Sequence, residues 1–133
     1  MIGAADVFLA KAQESLAGAE SEFSNGRYNN CANRCYYACF QGAIYALSQA
    51  GIKPRGAHEQ WSHAFVQAEF AGQLINRRKV YPSNMRDALA HAMVLRQTAD
   101  YEQGWITQTQ ALRNLRRARQ FLEAVAPRKG GLA

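Results

Sequence analysis

The sequence predicts an all-α protein, an antiparallel up-and-down bundle of four long helices and one shorter helix. The chain has 133 residues, of which 48% are apolar, enough for one core of ordinary domain size but too little for two. Only 10 glycines and 3 prolines interrupt it, whereas an all-β sandwich needs turn signals roughly every 8–12 residues. Apolar residues also recur three or four positions apart, as on one face of a helix. We therefore expect one helical domain over residues 1–126 and a disordered tail over residues 127–133.

The first two predicted helices are joined by a short turn. The first spans residues 4–23, where apolar side chains follow the helical period, and Gly26 suits the left-handed conformation that ends such a helix. The second spans residues 28–50 and is apolar around most of its circumference. Because a helix that is apolar on so many sides must be covered by neighbours, we expect it at the centre of the bundle.

Two further helices are predicted in the middle of the chain. A shorter one spans residues 58–72 and carries several large apolar side chains, after which residues 76–82 form a basic loop. Ser83 is then expected to cap a fourth helix, because a serine side chain can accept a hydrogen bond from a free backbone amide of the first turn. This helix is expected to end near Tyr101 or Glu102, before Gly104.

The last predicted helix has the clearest start and a basic side. Thr107 and Gln110 have the spacing of a capping box, and Pro127 is expected to stop the helix. Its apolar stripe leaves four arginines on other faces, namely Arg113, Arg116, Arg117 and Arg119. These arginines predict either a basic surface that docks on RNA or an acidic protein, or an ordinary solvated helix face.

The positive charge of the chain is concentrated in its second half. The formal net charge is +6. Residues 1–52 contain three basic and four acidic residues, whereas residues 53–133 contain 13 basic and six acidic residues. A basic half of this kind suggests a polyanionic partner such as RNA or a nucleotide.

The sequence predicts a soluble protein, because it offers neither a membrane span nor a signal peptide. Its cysteine pattern fits a reducing compartment. No stretch approaches about 18 uninterrupted apolar residues, and the N-terminus carries no basic cluster, so we expect neither a membrane span nor a signal peptide and a cytoplasmic location. The three cysteines recur every four residues on the second helix: Cys31, Cys35 and Cys39. A metal site would need a fourth ligand and usually a tighter spacing, so we expect buried packing and no bound metal.

Polar side chains on the second and fourth predicted helices suggest a shared groove. Arg96 and Asp100 lie four residues apart, so they can form an ion pair on one helix face beside the apolar stripe. The second helix carries a line of polar residues in an otherwise apolar segment: Asn30, Arg34, Tyr37 and Gln41. Because polar groups at the edge of a core need partners, we expect a groove between the two helices at these positions.

The three histidines differ in context. His58 stands at the expected start of the third helix and is the most accessible by position, whereas the surroundings of His63 are undistinguished. Arg86 and His91 have the Arg-x4-His spacing of a ribonuclease motif, but in a chain this rich in arginine such a match is expected by chance. For each histidine, an ordinary packed or surface role competes with a catalytic one.

Four segments, taken in order, resemble the HEPN domain, and in particular its short stand-alone bacterial and archaeal members. They are residues 26–28 (Gly-Arg-Tyr), residues 33–38 (Asn-Arg-Cys-Tyr-Tyr-Ala), His58, and residues 95–101, which begin with Leu-Arg and end with Ala-Asp-Tyr. The resemblance implies an up-and-down helical bundle that often forms a homodimer. It also implies a gene frequently found beside a small nucleotidyltransferase, as one half of a toxin–antitoxin pair.

Many members of this family are metal-independent endoribonucleases with an Arg-x4-6-His motif at the end of the fourth helix. In that chemistry the arginine stabilises the phosphate charge, and the histidine moves a proton as a 2′-hydroxyl attacks. Arg96 matches the arginine of the motif, but Tyr101 stands five residues later and no histidine follows His91. Tyrosine, with a reference pKa of about 10, is a poor proton carrier at neutral pH.

Three interpretations remain open. We favour a nucleotide- or RNA-binding module without a cofactor, working with a nucleotidyltransferase. The residues expected to bind its phosphate are Arg34, Tyr37, Arg96 and Asp100. The second is an endoribonuclease in which His58 or Tyr101 works with Arg96, and the third is a non-catalytic helical interaction protein. In some family members the nucleotidyltransferase modifies a tyrosine near the motif, which makes Tyr101 a candidate acceptor.

Overall fold

The predicted all-α bundle is confirmed by the structure, a computed structural model that describes residues 3–54 and 60–127. Within those ranges it contains helices and connecting segments and no β-strand. Four helices of 18 to 22 residues are accompanied by one short helix that continues into a π-helical segment. The elements are α1 (Ala4–Ser24), α2 (Tyr28–Gln49), α3 (His63–Glu69), the π-helical segment (Phe70–Arg77), α4 (Asn84–Tyr101) and α5 (Gln108–Val125). His58 and residues 128–133 of the expected tail lie outside the described residues.

The second helix is the centre of the bundle, as its composition predicts. Thirteen of its 22 residues are buried, and it packs against α1, α4 and α5. Gly42 allows α5 to approach closely, because a Cβ atom built at this position would lie 2.6 Å from Cδ2 of Leu122. The turn between α1 and α2 contains Gly26 in the expected left-handed conformation, with φ of +74°. The short turn and the close packing hold α2 in one place, and α2 carries most of the polar residues discussed below.

The bounds predicted for the third helix are wrong at both ends. Residues 60–62 are not helical, and α3 begins at His63 because the Ser62 side chain accepts a hydrogen bond from the backbone amide of Phe65 at 3.1 Å. At the other end the helix continues past Gly72 to Arg77 in π-helical form. The extension buries Leu74 and Ile75 in the core, so the expected loop over residues 76–82 begins two residues later than predicted.

The two predicted helix caps have different outcomes. Thr107 and Gln110 form the expected reciprocal capping box, with hydrogen bonds of 3.1 and 2.9 Å between side chains and backbone amides. Ser83 directly precedes α4 as predicted, but its side chain accepts no capping hydrogen bond. Its backbone already has helical angles, φ of −61° and ψ of −26°, whereas a capping serine needs an extended backbone.

Candidate functional site

Arg96 lies at the centre of a group of aromatic side chains near the C-terminal end of α4. Its Cζ atom lies 5.7 Å from the ring centroid of Tyr36 and 5.5 Å from those of both Tyr37 and Tyr101. Guanidinium groups at such distances are attracted by the electron-rich faces of aromatic rings. Only 15% of the Arg96 side chain is exposed, so these rings and the neighbouring Asp100 hold the guanidinium at the protein surface in a defined position.

The predicted ion pair between Arg96 and Asp100 is present and is tied to the central helix. Arg96 Nε donates to Asp100 Oδ2 at 3.1 Å, and Asn33 Nδ2 of α2 donates to the same oxygen at 2.9 Å. An isolated ion pair at this spacing is worth only about 0.2–0.5 kcal/mol. The additional bond from Asn33 restricts the carboxylate, and therefore the arginine, relative to α2.

A second arginine reaches the same group from α2. Arg34 Cζ lies 5.1 Å from the ring centroid of Tyr37, the ring that Arg96 also contacts. Its Nε and Nη2 atoms both donate to Oδ1 of Asn33, at 3.0 and 2.7 Å. Tyr37 and Asn33 therefore connect the two arginines, and we call the six residues of this assembly the arginine cluster: Asn33, Arg34, Tyr36, Tyr37, Arg96 and Asp100.

The polar line predicted on α2 divides among three surroundings. Arg34 and Tyr37 belong to the arginine cluster. Gln41 turns instead to α1, where its amide and the hydroxyl of Ser15 form a hydrogen bond of 2.7 Å. Asn30 is exposed and lines a groove near the turn that joins α1 and α2. The predicted polar groove between α2 and α4 is therefore present at Arg34 and Tyr37, whereas Asn30 and Gln41 lie outside it.

His63 joins the arginine cluster, although nothing in its local sequence marks it. Its Nδ1 atom forms a hydrogen bond of 2.5 Å with the hydroxyl of Tyr36, and its ring stacks on Phe40 with centroids 4.6 Å apart. Tyr36 therefore contacts both His63 and Arg96. Burial, and then the positive charge of Arg96, lower the pKa of His63 below its usual 6.5, so the imidazole is neutral at neutral pH. Burial raises the pKa of Tyr36 to about 12, which keeps its hydroxyl protonated.

The other two residues proposed to help Arg96 have different positions. Tyr101 is near it, since Arg96 Nη2 donates to the Tyr101 hydroxyl at 3.4 Å, and 73% of Tyr101 is exposed. His58 lies outside the described residues. Among the described histidines, His63 is the one that shares contacts with the arginine cluster.

The four arginines of the predicted basic surface are exposed on α5. Arg113, Arg116 and Arg117 share a side of the helix by their spacing. Arg119 is partly neutralised, because its Nε donates to Glu20 of α1 at 2.8 Å. Arg117 also lines a separate groove of about 430 Å³ between α4 and α5, together with His91, whose pKa is lowered by burial and by Arg117.

The three cysteines of α2 are buried and unpaired, as their spacing predicts. Burial raises the pKa of Cys39 to about 12, so its thiol is protonated at neutral pH. In the described part of the chain, no three side chains of histidine, cysteine, aspartate or glutamate are grouped as a metal site requires. Packing of small side chains between helices accounts for these cysteines.

Stability is expected to decrease as the pH falls below about 6.5, because His63 is less basic in the folded protein than in the unfolded chain. The unfolded chain binds protons at a higher pH, so the contribution of His63 is complete above pH 6.5 and is lost as the pH falls toward the lower folded-state pKa. His91 contributes with the same sign. Urea unfolding at about pH 7.5 and about pH 5.5 should show the decrease, and His63→Gln should reduce it. An equal decrease in wild type and variant would contradict this assignment.

The fold and the site together define an all-α bundle with an arginine-centred cluster between its second and fourth helices. The sequence model of the HEPN domain matches residues 5–129, almost the whole chain. The chain therefore belongs to the HEPN domain family. No curated protein is significantly similar to it in sequence. Among the described residues, no helix combines the length and the hydropathy that crossing a bilayer requires.

Proposed function

We propose that the protein binds RNA or a nucleotide, with a phosphate held by Arg34 and Arg96, and that it acts with a nucleotidyltransferase in a toxin–antitoxin-like system. The observation that carries the binding proposal is the pair of guanidinium groups on one ring: Cζ atoms of Arg34 and Arg96 lie 5.1 and 5.5 Å from the centroid of Tyr37. A planar guanidinium group can donate two parallel hydrogen bonds to two oxygens of one phosphate. An arginine that is already held in one position loses little conformational entropy when it binds a phosphate.

The charges of the arginine cluster favour an anionic ligand. The cluster contains two guanidinium groups, those of Arg34 and Arg96, and one carboxylate, that of Asp100, which leaves one net positive charge while His63 is neutral. In the described residues, the hydrogen bonds of Arg34 go to the neutral amide of Asn33 rather than to a carboxylate. Arg96 uses Nε for Asp100, whereas its Nη2 makes only the longer contact of 3.4 Å with Tyr101. A phosphate oxygen can replace that long contact.

The family membership supports the remaining parts of the proposal. HEPN domains often dimerise, and short stand-alone members are frequently paired with a nucleotidyltransferase, so we assign this protein a homodimer and such a partner. The exposed hydroxyl of Tyr101 is sterically accessible to a modifying enzyme. Three unpaired cysteines fit a reducing cytoplasm.

Replacing Arg96 with alanine is expected to weaken binding of ATP and of a short single-stranded RNA by about tenfold to a hundredfold, because hydrogen bonds to charged groups are worth about 1.5–3 kcal/mol. Fluorescence anisotropy at one fixed ionic strength measures both affinities, since binding of nucleic acid depends strongly on salt. The matched control is Arg113→Ala, which removes an exposed arginine from α5. It should change either affinity by less than about twofold.

Two outcomes would contradict the assignment of the phosphate to Arg34 and Arg96. Unchanged affinity in Arg96→Ala would refute the assignment of the phosphate to the arginine cluster. A loss in Arg113→Ala instead would favour the basic surface of α5 and the interpretation as an interaction protein. Circular dichroism of each variant shows that the bundle is intact, so that a loss of binding is not a loss of folding.

The position of His63 favours a second candidate function, metal-independent cleavage of RNA. A neutral imidazole beside an arginine supplies the two groups that attack by a 2′-hydroxyl needs. His63 would accept the proton of the 2′-hydroxyl as its oxygen bonds to phosphorus, and Arg96 would stabilise the charge that develops on the phosphate. The bond from phosphorus to the 5′-oxygen then breaks, and that oxygen takes a proton from the imidazolium of His63 or from water, which leaves a 2′,3′-cyclic phosphate and a 5′-hydroxyl. The role of base requires that Nδ1–H of His63 donates to the oxygen of Tyr36, which leaves the Nε2 lone pair available. His63 is thus a further candidate for the role that the sequence suggests for His58 or Tyr101.

A further inference from the structure

A groove next to the arginine cluster has no role in the proposal above. It has a volume of about 440 Å³ and is lined by Trp105 and Ile106, from the segment between α4 and α5, and by residues 26–30. We infer that this groove binds a nucleobase and that the ligand of the protein is single-stranded RNA, with one base stacked on Trp105 and a phosphate of the same strand, about three nucleotides away, at Arg96. This inference rests on the proposed function and specifies its ligand.

The exposure of Trp105 is the first observation. Its side chain is 80% exposed, and Tyr101, four residues earlier, is 73% exposed; they are the two most exposed large apolar side chains of the described residues. The other tryptophan, Trp61, instead packs edge-on against Phe8 and Phe65. Unpaired bases stack on aromatic rings that have a free face. Replacing such a ring with alanine lowers the affinity for the nucleic acid measurably.

The groove and the arginine cluster lie on successive turns of α2. Asn29 Oδ1 accepts a hydrogen bond from the amide of Ile106 at 2.9 Å, which fixes the segment carrying Trp105 to the first turn of α2. One turn later, Asn33 bonds to Asp100. Asn30, Arg34 and Tyr37 follow one another at helical spacing, so they form a strip from the groove to the cluster. Seven residues of helix span about 10 Å, the length of about three stacked nucleotides.

The chemistry of this strip fits a single strand. In a duplex the base faces are covered by neighbouring pairs, whereas an unpaired base can stack on the indole of Trp105. The exposed amide of Asn30 offers a donor and an acceptor to a base edge. Arg27 also lines the groove, so the groove and the arginine cluster together carry three guanidinium groups, those of Arg27, Arg34 and Arg96, against the carboxylates of Glu22 and Asp100. The groove therefore offers an aromatic surface for a base, and the neighbouring arginines offer positive charge for the phosphates of RNA.

A fluorescence titration tests the inference directly. The chain has two tryptophans, so Trp61→Phe leaves Trp105 as the only indole. Adding a single-stranded oligouridylate of about five nucleotides should quench its emission. Trp105→Ala should lower the affinity for this RNA by about fivefold to a hundredfold, and Trp105→Phe should retain most of it. The affinity for inorganic phosphate should be the same in Trp105→Ala and wild type. Val80→Ala removes another exposed apolar side chain and should have no effect.

The outcomes separate this inference from the proposed function. If Arg96→Ala weakens binding but Trp105→Ala does not, the nucleobase site is wrong and the phosphate site stands. If the wild-type protein binds no RNA, both are wrong. Equal affinity for a duplex of the same length would also overturn the inference. So would a Trp105→Ala variant that dissociates a homodimer without changing the RNA affinity, because the groove would then be covered by a second copy of the chain.

Discussion

Replacing Phe121 with alanine is expected to lower the free energy of unfolding by about 3–5 kcal/mol. The side chain is 2% exposed, and its ring centroid lies 5.2 Å from that of Phe70 in the π-helical segment. Phe70 in turn stacks on Tyr81, with centroids 5.6 Å apart and planes inclined by 16°. Truncation therefore removes one end of a three-ring stack and leaves a cavity that the two remaining rings cannot fill without moving.

Urea unfolding followed by circular dichroism measures this loss, with Glu123→Ala as the matched control. Glu123 is exposed on the same helix, so its replacement should change stability by no more than about 0.5 kcal/mol. Because domains are commonly stable by only about 5–15 kcal/mol, Phe121→Leu provides a milder variant that keeps part of the contact with Phe70. A loss below about 1 kcal/mol in Phe121→Ala would show that the stack does not stabilise the bundle.

The stack is connected to the site through His63 and not through the two arginines. Phe121 of α5 contacts the π-helical segment, which is continuous with α3, and α3 begins with His63. Arg34 and Arg96 depend instead on α2 and α4. We therefore expect Phe121→Leu, where it remains folded, to leave phosphate binding unchanged, because the elements that carry the two arginines pack on each other directly.

Features set by residues close in the chain could be predicted from the sequence. The ion pair of Arg96 and Asp100 follows from a spacing of four on a helix, and the capping box at Thr107 from a spacing of three. The central position of α2 follows from the apolar residues around most of its surface. In each case a local pattern is enough, because the helix itself places the side chains.

Features made by packing between elements could not be predicted in this way. His63 meets Tyr36 across 27 residues of chain, and only the packing of α3 on α2 brings their side chains together. The π-helical extension depends on the burial of Leu74 and Ile75, whose sequence equally fits the end of an α-helix or the start of a loop. Asn33 lies in a segment that resembles the family, but its bond to Asp100 again needs α2 and α4 side by side.

If the protein cleaves RNA, replacing His63 with glutamine is expected to lower the cleavage rate by about a hundredfold to ten thousandfold, the usual contribution of a positioned acid or base. His91→Gln is the matched control, because the pKa of this histidine is also lowered by burial and an arginine, but it lies with Arg117 in the groove between α4 and α5. The assay uses single-stranded RNA in EDTA, which excludes cleavage by metal-dependent contaminants. Arg96→Ala should abolish the same activity.

The pH dependence distinguishes a base from a structural side chain. A neutral His63 accepts a proton only above its own pKa, so the rate should rise as the pH increases through that pKa and then level off. Tyr36→Phe should shift this profile without abolishing cleavage, since it removes the oxygen that accepts from Nδ1 but leaves the imidazole. Wild-type protein that leaves RNA intact in EDTA, or His63→Gln and His91→Gln variants that cleave equally fast, would refute this function. In the first case the arginine cluster retains only its binding role.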